Sequence, residues 1–222
     1  MRTICKGNEP SCLTKHRQQP HSDYDNYTNE IDANTGKKIP NTGKDALRQA
    51  LVMEQRGLCC YCQSRIHPNE DKMKIEHWQS QTGFPHRQLD YSNLLGACLG
   101  GIGRPKKDQH CDTRKGDSVL CFSVSDPAHP IERQIKFLGD GSIASGGAAI
   151  NSALNDVLNL NSPRLVSNRK AVLDAFKQRL GRGNLNAAQE LRKWDGSQAG
   201  DLPEFAQVMV FWLEKRIVRQ AP

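Results

Sequence analysis

The chain has 222 residues, with 31 Lys and Arg against 24 Asp and Glu, a formal net charge of +7 and 36% hydrophobic residues. This length holds one medium domain or two small ones around a modest core, and the basic balance suits a polyanionic partner. No stretch is long and apolar enough to span a membrane, and the opening MRTICKGNEPSC lacks the apolar run of a secretory signal. A cytosolic setting is therefore expected, where the eight Cys serve as metal ligands or reduced thiols in place of disulfides.

Residues 1–17 read as an extended arm anchored by Ile4, Pro10 and Leu13. Residues 18–44, rich in Gln, Asn, Asp, Thr, Gly and Pro, read as a long polar loop. DALRQALVMEQR over 45–56 predicts a helix with Leu47, Ala50 and Leu51 on one side and Gly57 as its stop. MKIEHW (73–78) and residues 91–95 are short strands flanking the polar QSQTGFPHRQL. Gly100, Gly101 and Gly103 open a loop carrying Arg104, Lys106 and Lys107, and their spacing matches neither the P-loop nor the dinucleotide fingerprint. A short helix starts within 111–116.

IKFL-GDG-SIAS predicts a hairpin turning at Asp140-Gly141. Helices follow over NSALNDVLNL, SPRLVSNRKAVLDAFKQRL, LNAAQELRKW and PEFAQVMVFWLEKRIV. The second takes Ser162 as its cap and Pro163 in its first turn. Its apolar stripe of Leu165, Val172, Leu173, Phe176 and Leu180 is expected in the core. Phe211 and Trp212 suit either buried positions or exposed anchors. The predicted fold class is α+β and mainly helical. It divides into an arm and loop (1–44), a central core (45–122) and a hairpin with C-terminal helices (123–222), the last serving either to dock a partner or to complete the core.

Two sets of ligand-type residues interleave in the central segment. Cys59 and Cys62 form a C-x-x-C knuckle that presents two thiolates to one tetrahedral ion, and Cys98 and Cys111 supply two more. The Gly- and Lys-rich insert between Cys98 and Cys111 must fold back for this to work. Four thiolates leave no open position, so such a zinc site is structural. Cys5, Cys12, Cys60 and Cys121 are expected as free thiols, with Cys60 turned away from the ion.

The second set is polar. Glu76 and His77 are neighbours on a strand, so their side chains point to opposite faces. Asn93, on the next predicted strand, is placed to orient the His77 ring through its amide. Asp112 follows a thiol ligand at a helix start, and Lys115 lies one turn on, within reach of a phosphate. Singly, each has an ordinary structural role: a buried histidine, a turn amide, a helix cap, a surface charge. Their order and their interleaving with the cysteines favour a site.

Together these residues resemble an HNH endonuclease of the ββα-metal type. The landmarks are C-x-Y-C, I-E-H, N-L-L-x-x-C and C-D-x-x-K-G. More narrowly the chain is similar to the PtuB-like HNH proteins of Septu and retron anti-phage systems. That likeness extends to the N-terminal I-x-K-x-x-x-P-x-x-L, the E-Q-x-x-L-C-x-Y-C entry, the D-G-x-I hairpin and L-N-L-N followed by Arg169. The resemblance implies a small ββα-metal core with a four-cysteine zinc site and a helical C-terminal region. It makes His77 the general base, Asn93 the middle residue and Glu76 an acidic metal ligand. Asp112 stands in the third position, where His or Asn is usual, which favours a hard ion such as Mg²⁺ or Mn²⁺ and removes a third imidazole as acid.

The same resemblance implies a bacterial cytoplasmic setting, a nuclease toxin role, a PtuA-like ATPase partner and, in retrons, a reverse transcriptase with its RNA–DNA hybrid. His110 and Arg114 flank the site as candidate phosphate contacts, joined by Lys115 and by Arg104, Lys106 and Lys107 of the glycine loop, which equally fit a solvated loop. DNA and RNA, including tRNA, both stand as substrates. A non-catalytic zinc scaffold or nucleic-acid-binding module is the alternative function, and it needs the cysteines but not Glu76, His77 and Asp112.

Overall fold

The computed structural model describes residues 1–181 and 186–220. The N-terminal arm is not extended throughout: after an extended start it forms α1, Ser11–Arg17. Leu13 is wholly buried there, in a small core with Tyr27, Leu47, Leu51, Leu89, Tyr91 and Leu94. A short amphipathic segment of this kind is helical because its partner α2, Gly43–Glu54, offers an apolar face to cover it. The polar loop between them is largely irregular, with one antiparallel bridge between Ile31 and Lys38.

The centre is a hairpin followed by a short helix. Strands β1 (Lys74–His77) and β2 (Leu94–Ala97) pair antiparallel, with Glu76 opposite Leu95 and His77 opposite Leu94. Asn93 does not lie on β2. It ends a 3-10 turn, Tyr91–Asn93, capped by Asp90, whose side chain accepts from Ser92 N. An Asp side chain that bonds the backbone two residues on favours a turn over a strand. Helix α3 is Cys111–Lys115.

Strands β3 (Lys136–Phe137) and β4 (Ile143–Ala144) make the predicted hairpin. Gly141 at its turn has φ +89°, and a Cβ there would lie 2.3 Å from Val166 O, so the turn and α5 can touch only through glycine. Helix α4, Ala148–Ser152, runs into a π-helical turn, Ala153–Val157, in place of one regular helix. Helices α5 (Pro163–Gly181), α6 (Ala187–Leu191) and α7 (Ala206–Gln220) follow. Leu185, the first residue of the predicted third helix, lies outside the described residues, as do residues 221–222. Ser162 Oγ has no hydrogen-bond partner, so the expected cap is not made.

The main core joins the cysteine-bearing centre to these helices. It runs from Met1 and Ile4 through Tyr61, Ile66 and Leu95 to Leu154, Leu173, Phe176, Met209 and Leu213. Phe211 and Trp212 are half-buried against it. Arg169 of α5 is buried and ties the C-terminal part together, donating to Gly141 O at 2.6 Å and Leu160 O at 2.7 Å. Among the described residues no helix is long and apolar enough to cross a membrane.

Candidate active site

The cysteines come first because they fix the rest. The knuckle turns between Cys59 N and Ser64 O (2.9 Å) and is pinned to β2 through Cys60 N to Gly96 O (3.0 Å). The Gln55 amide adds bonds to both Leu58 O and Gly96 O, each 2.7 Å. The insert after Cys98 folds back as required: His110 N donates to Gly100 O at 2.9 Å. Gly100 has φ +55°, and a Cβ would stand 2.2 Å from His110 O, so this closure needs glycine.

Cys59, Cys62, Cys98 and Cys111 converge, with all four sulfurs within 4.8 Å of one another. The Cys59–Cys111 and Cys62–Cys98 sulfur separations are 3.9 and 3.7 Å. A tetrahedral ion with sulfur bonds of about 2.3 Å requires edges of about 3.8 Å, so the set fits a metal ion such as zinc. Burial opposes charge on Cys59, yet hydrogen bonds from Cys111, Cys60, Cys62 and Cys98 hold it well below its ordinary value. Burial and the bond with Cys59 push Cys111 well up. A thiol held down in this way gives the set negative charge to offer a cation.

Cys111 sits at φ +57°, a left-handed conformation that a non-glycine residue holds at a cost of about 1–2 kcal/mol. Its N–H donates to Leu158 O at 2.9 Å. This turn points the sulfur into the cluster and sends Asp112 toward β1.

There Glu76, 2% exposed, accepts from Tyr61 Oη at 2.7 Å and pairs with Lys115 Nζ at 2.9 Å. Asp112 is ion-paired with Lys74, and its carboxyl lies close enough to that of Glu76 for the two to perturb each other. Burial raises the Glu76 carboxyl well above its ordinary value and the Asp112 charge adds to this, against Lys115 and Tyr61. Burial also acts to raise Asp112, but the Glu76 carboxyl and the Lys74 charge bring it below. The buried Glu76 and the half-buried Asp112 bring carboxylate oxygens together, the donor type a divalent cation selects once it displaces the proton and the lysines that hold them. Among the described residues the four cysteines form the one cluster of three or more ligand side chains; Glu76 and Asp112 converge as a pair, and His77 stands outside it.

His77 points the other way, as strand alternation requires. Its Nε2 lies 3.0 Å from Gln88 O, so Nε2 carries the proton and donates. Its Nδ1 is then the basic nitrogen, and the Gln81 amide donates to it at 3.2 Å. Burial lowers His77 to about 4, so the ring is neutral at pH 7. Tyr24 meets it edge-on, with ring centroids 4.5 Å apart at 90°.

Several expected positions come out differently. Asn93 makes no hydrogen bond to His77. Its amide donates to Gln79 O (3.0 Å) and Arg87 O (3.1 Å) and accepts from Gln79 N (2.8 Å). It shapes the loop whose Gln88 carbonyl orients the imidazole, so its influence is one step removed. Lys115 is not at a surface that could meet phosphate: its side chain is fully buried on Glu76 and donates to His77 O at 2.9 Å. His110 is 8% exposed with Nδ1 3.2 Å from Cys111 Sγ, so it lines the thiol cluster. Arg114 is half-buried and donates to Lys106 O at 2.8 Å. Arg104, Lys106 and Lys107 are exposed. Tyr61, Lys74, Gln81, Gln88 and Tyr24 were not foreseen. Only Tyr61 carried a signal, as the Tyr of C-x-Y-C.

No family model matches the chain. An Escherichia coli protein of retron Ec83, named as a putative HNH endonuclease, is 26% identical in an alignment 248 positions long that covers 93% of this chain and 91% of the relative. The chain resembles the HNH proteins of retron and Septu systems. The Septu protein PtuB of Bacillus thuringiensis is also 26% identical, over 136 residues that span 59% of this chain and about half (49%) of PtuB. The likeness to the retron protein therefore extends beyond the cysteine-bearing centre into both flanks.

Proposed function

We propose that this chain is a metal-dependent HNH endonuclease and the nucleic-acid-cleaving effector of an anti-phage system. The carrying observation is the pairing of a neutral, oriented His77 with a converging Glu76–Asp112 carboxyl pair. Neither is needed by a zinc scaffold, which requires the cysteines alone. The two relatives, named for a retron and a Septu system, support the defence setting.

The reaction is phosphodiester hydrolysis. Once water displaces the Gln81 amide from His77 Nδ1, that nitrogen takes a proton from the water as its oxygen bonds to phosphorus, while Nε2–H stays bonded to Gln88 O. Glu76 and Asp112 would hold a divalent ion, Mg²⁺ or Mn²⁺, which would supply positive charge against the negative charge that builds up in the reaction. With Asp112 in the third position, no imidazole stands on that side to protonate the leaving oxygen, and its proton comes from solvent. Asn93 keeps the 79–88 loop, and so the Gln88 carbonyl, in place. Cys59, Cys62, Cys98 and Cys111 would hold zinc, and Cys111 aims Asp112. Arg104, Lys106, Lys107 and Arg114 track the nucleic-acid backbone from the glycine loop and the adjoining α3. A PtuA-like ATPase is the partner, with a retron reverse transcriptase and its RNA–DNA hybrid where the system is a retron.

The test is cleavage of plasmid DNA and of tRNA by the full chain with Mg²⁺ or Mn²⁺, alone and with its ATPase. His77→Ala is expected to reduce the rate by about 10²–10⁴-fold with zinc content unchanged and cooperative unfolding retained. Equal cleavage by wild type and His77→Ala would remove His77 as the base, and no cleavage by wild type with its ATPase present would remove the proposal and leave the scaffold reading.

A further inference from the structure

The polar segment 18–44 reaches the catalytic pocket. Tyr24 lies edge-on to His77 at 4.5 Å, and Tyr24 N donates to Gln88 Oε1 at 3.1 Å. Gln88 thus grips both partners, holding His77 Nε2 with its backbone carbonyl and Tyr24 with its side chain. Lys44, in the first turn of α2, places Nζ 4.2 Å from the centre of the Tyr24 ring, so the phenol ring contacts both the imidazole and the ammonium.

The lysine differs from the other cations of the pocket. Lys115 is committed to Glu76, Lys74 to Asp112, and Arg48, one turn along α2, to Asp45 at 2.8 Å and Glu70 at 3.8 Å. Among the described residues no carboxylate forms an ion pair with Lys44, and Asp25 and Asp23 act on it only through space. Lys44 is half-buried, and its main polar neighbour is the face of an aromatic ring. An ammonium partly stripped of water and resting on a ring is held for another anion, and the anion that His77 chemistry brings to this pocket is a phosphodiester.

We propose that Lys44 is a phosphate-binding residue of the nuclease site and that Tyr24 is a positioning residue that fixes the His77 ring. The inference rests on the nuclease reading above for the identity of the anion. Residues 18–44 are then a wall of the site.

The experiment uses the full chain, bis(p-nitrophenyl) phosphate as a minimal diester and a fluorescein-labelled DNA oligonucleotide. Lys44→Met is expected to lower kcat/KM on the diester by about 10²-fold, the scale of losing one preorganised charge contact. Lys44→Arg is expected to recover part of it. Tyr24→Leu is expected to lower kcat with little change in KM, and Tyr24→Phe, which keeps the ring edge, to restore it. Melting temperature and zinc content separate these effects from misfolding.

Binding of the oligonucleotide to His77→Ala, with and without Lys44→Met, is read against salt. Loss of Lys44 is expected to reduce the salt slope by about 1, whether or not cleavage is seen. A slope and a kcat/KM both indifferent to Lys44→Met, or a Tyr24→Leu protein with wild-type kcat, overturns the respective assignment. If wild type cleaves neither substrate while the slope still falls, the nuclease reading fails and the phosphate contact stands.

Discussion

Lys115 Nζ and Glu76 Oε1 meet at 2.9 Å, with the lysine side chain wholly out of solvent and the glutamate 2% exposed. A buried charge pair of this kind adds little net stability, but removing one member strands the other. Its place explains why it exists. Lys115 also donates to His77 O at 2.9 Å, so one ammonium ties α3 to the strand that carries both Glu76 and His77.

Lys115→Met is therefore expected to destabilise the protein by about 3–5 kcal/mol, the scale for breaking a buried pair. Chemical denaturation at neutral pH reads this. The double variant Glu76→Gln, Lys115→Met is expected to be more stable than Lys115→Met alone. A Lys115→Met protein as stable as wild type contradicts the account.

The sulfur cluster predicts one zinc per chain. Cys111→Ser is expected to lose the ion and, with it, the placement of Asp112, because the two residues are adjacent and share the left-handed turn at Cys111. Elemental analysis and thermal melting check the first part. Stripping the ion with a chelator is expected to abolish cleavage even when Mg²⁺ is in excess, since zinc binding is also folding energy. Full activity without zinc contradicts it.

Asn93 is 0% exposed and satisfies Gln79 and Arg87 backbone groups in the loop before it. Asn93→Ala leaves those groups unpaired, at about 1–3 kcal/mol for each that stays buried. The loop that presents Gln88 O loosens, so kcat is expected to fall by more than KM changes. Asn93→Asp keeps the acceptor and loses the donors, and is expected to be intermediate. A variant that melts normally and cleaves normally removes Asn93 from the site's support.

Asp90 carries a pH dependence. Burial acts to raise its carboxyl, but bonds from Ser92 and Arg87 hold it below its ordinary value. The folded group titrates below the unfolded one, so its stabilisation is fully present above the unfolded value near 3.8 and is lost as pH falls through the lower folded value. Asp90→Asn is expected to flatten the stability profile in that acid window and to lower stability at pH 7. Urea melts from pH 2 to pH 7 compare the two proteins. Parallel curves across the window refute the role.

What could be read from residues alone was local chemistry. C-x-x-C fixes a knuckle because its turn is short, and Glu76 followed by His77 fixes opposite faces because a strand alternates. The hairpin at Asp140-Gly141 and the helix beginning at Pro163 follow from turn preferences and from proline's fit to a first helical turn, which act within a few residues. Long-range partners were not legible. Leu13 turns its segment into a helix only because α2 covers it, and Asn93 leaves the strand because the Asp90 cap makes a turn. Lys115 reads as a phosphate ligand until Glu76 claims it, and His110 as a surface residue until Gly100 folds the insert back over the sulfurs. Tyr24 and Lys44 come from a segment whose composition says only that it is polar. Burial decided each case. A buried charge or amide must find a partner, and which partner is near is settled by chain crossings that no spacing records.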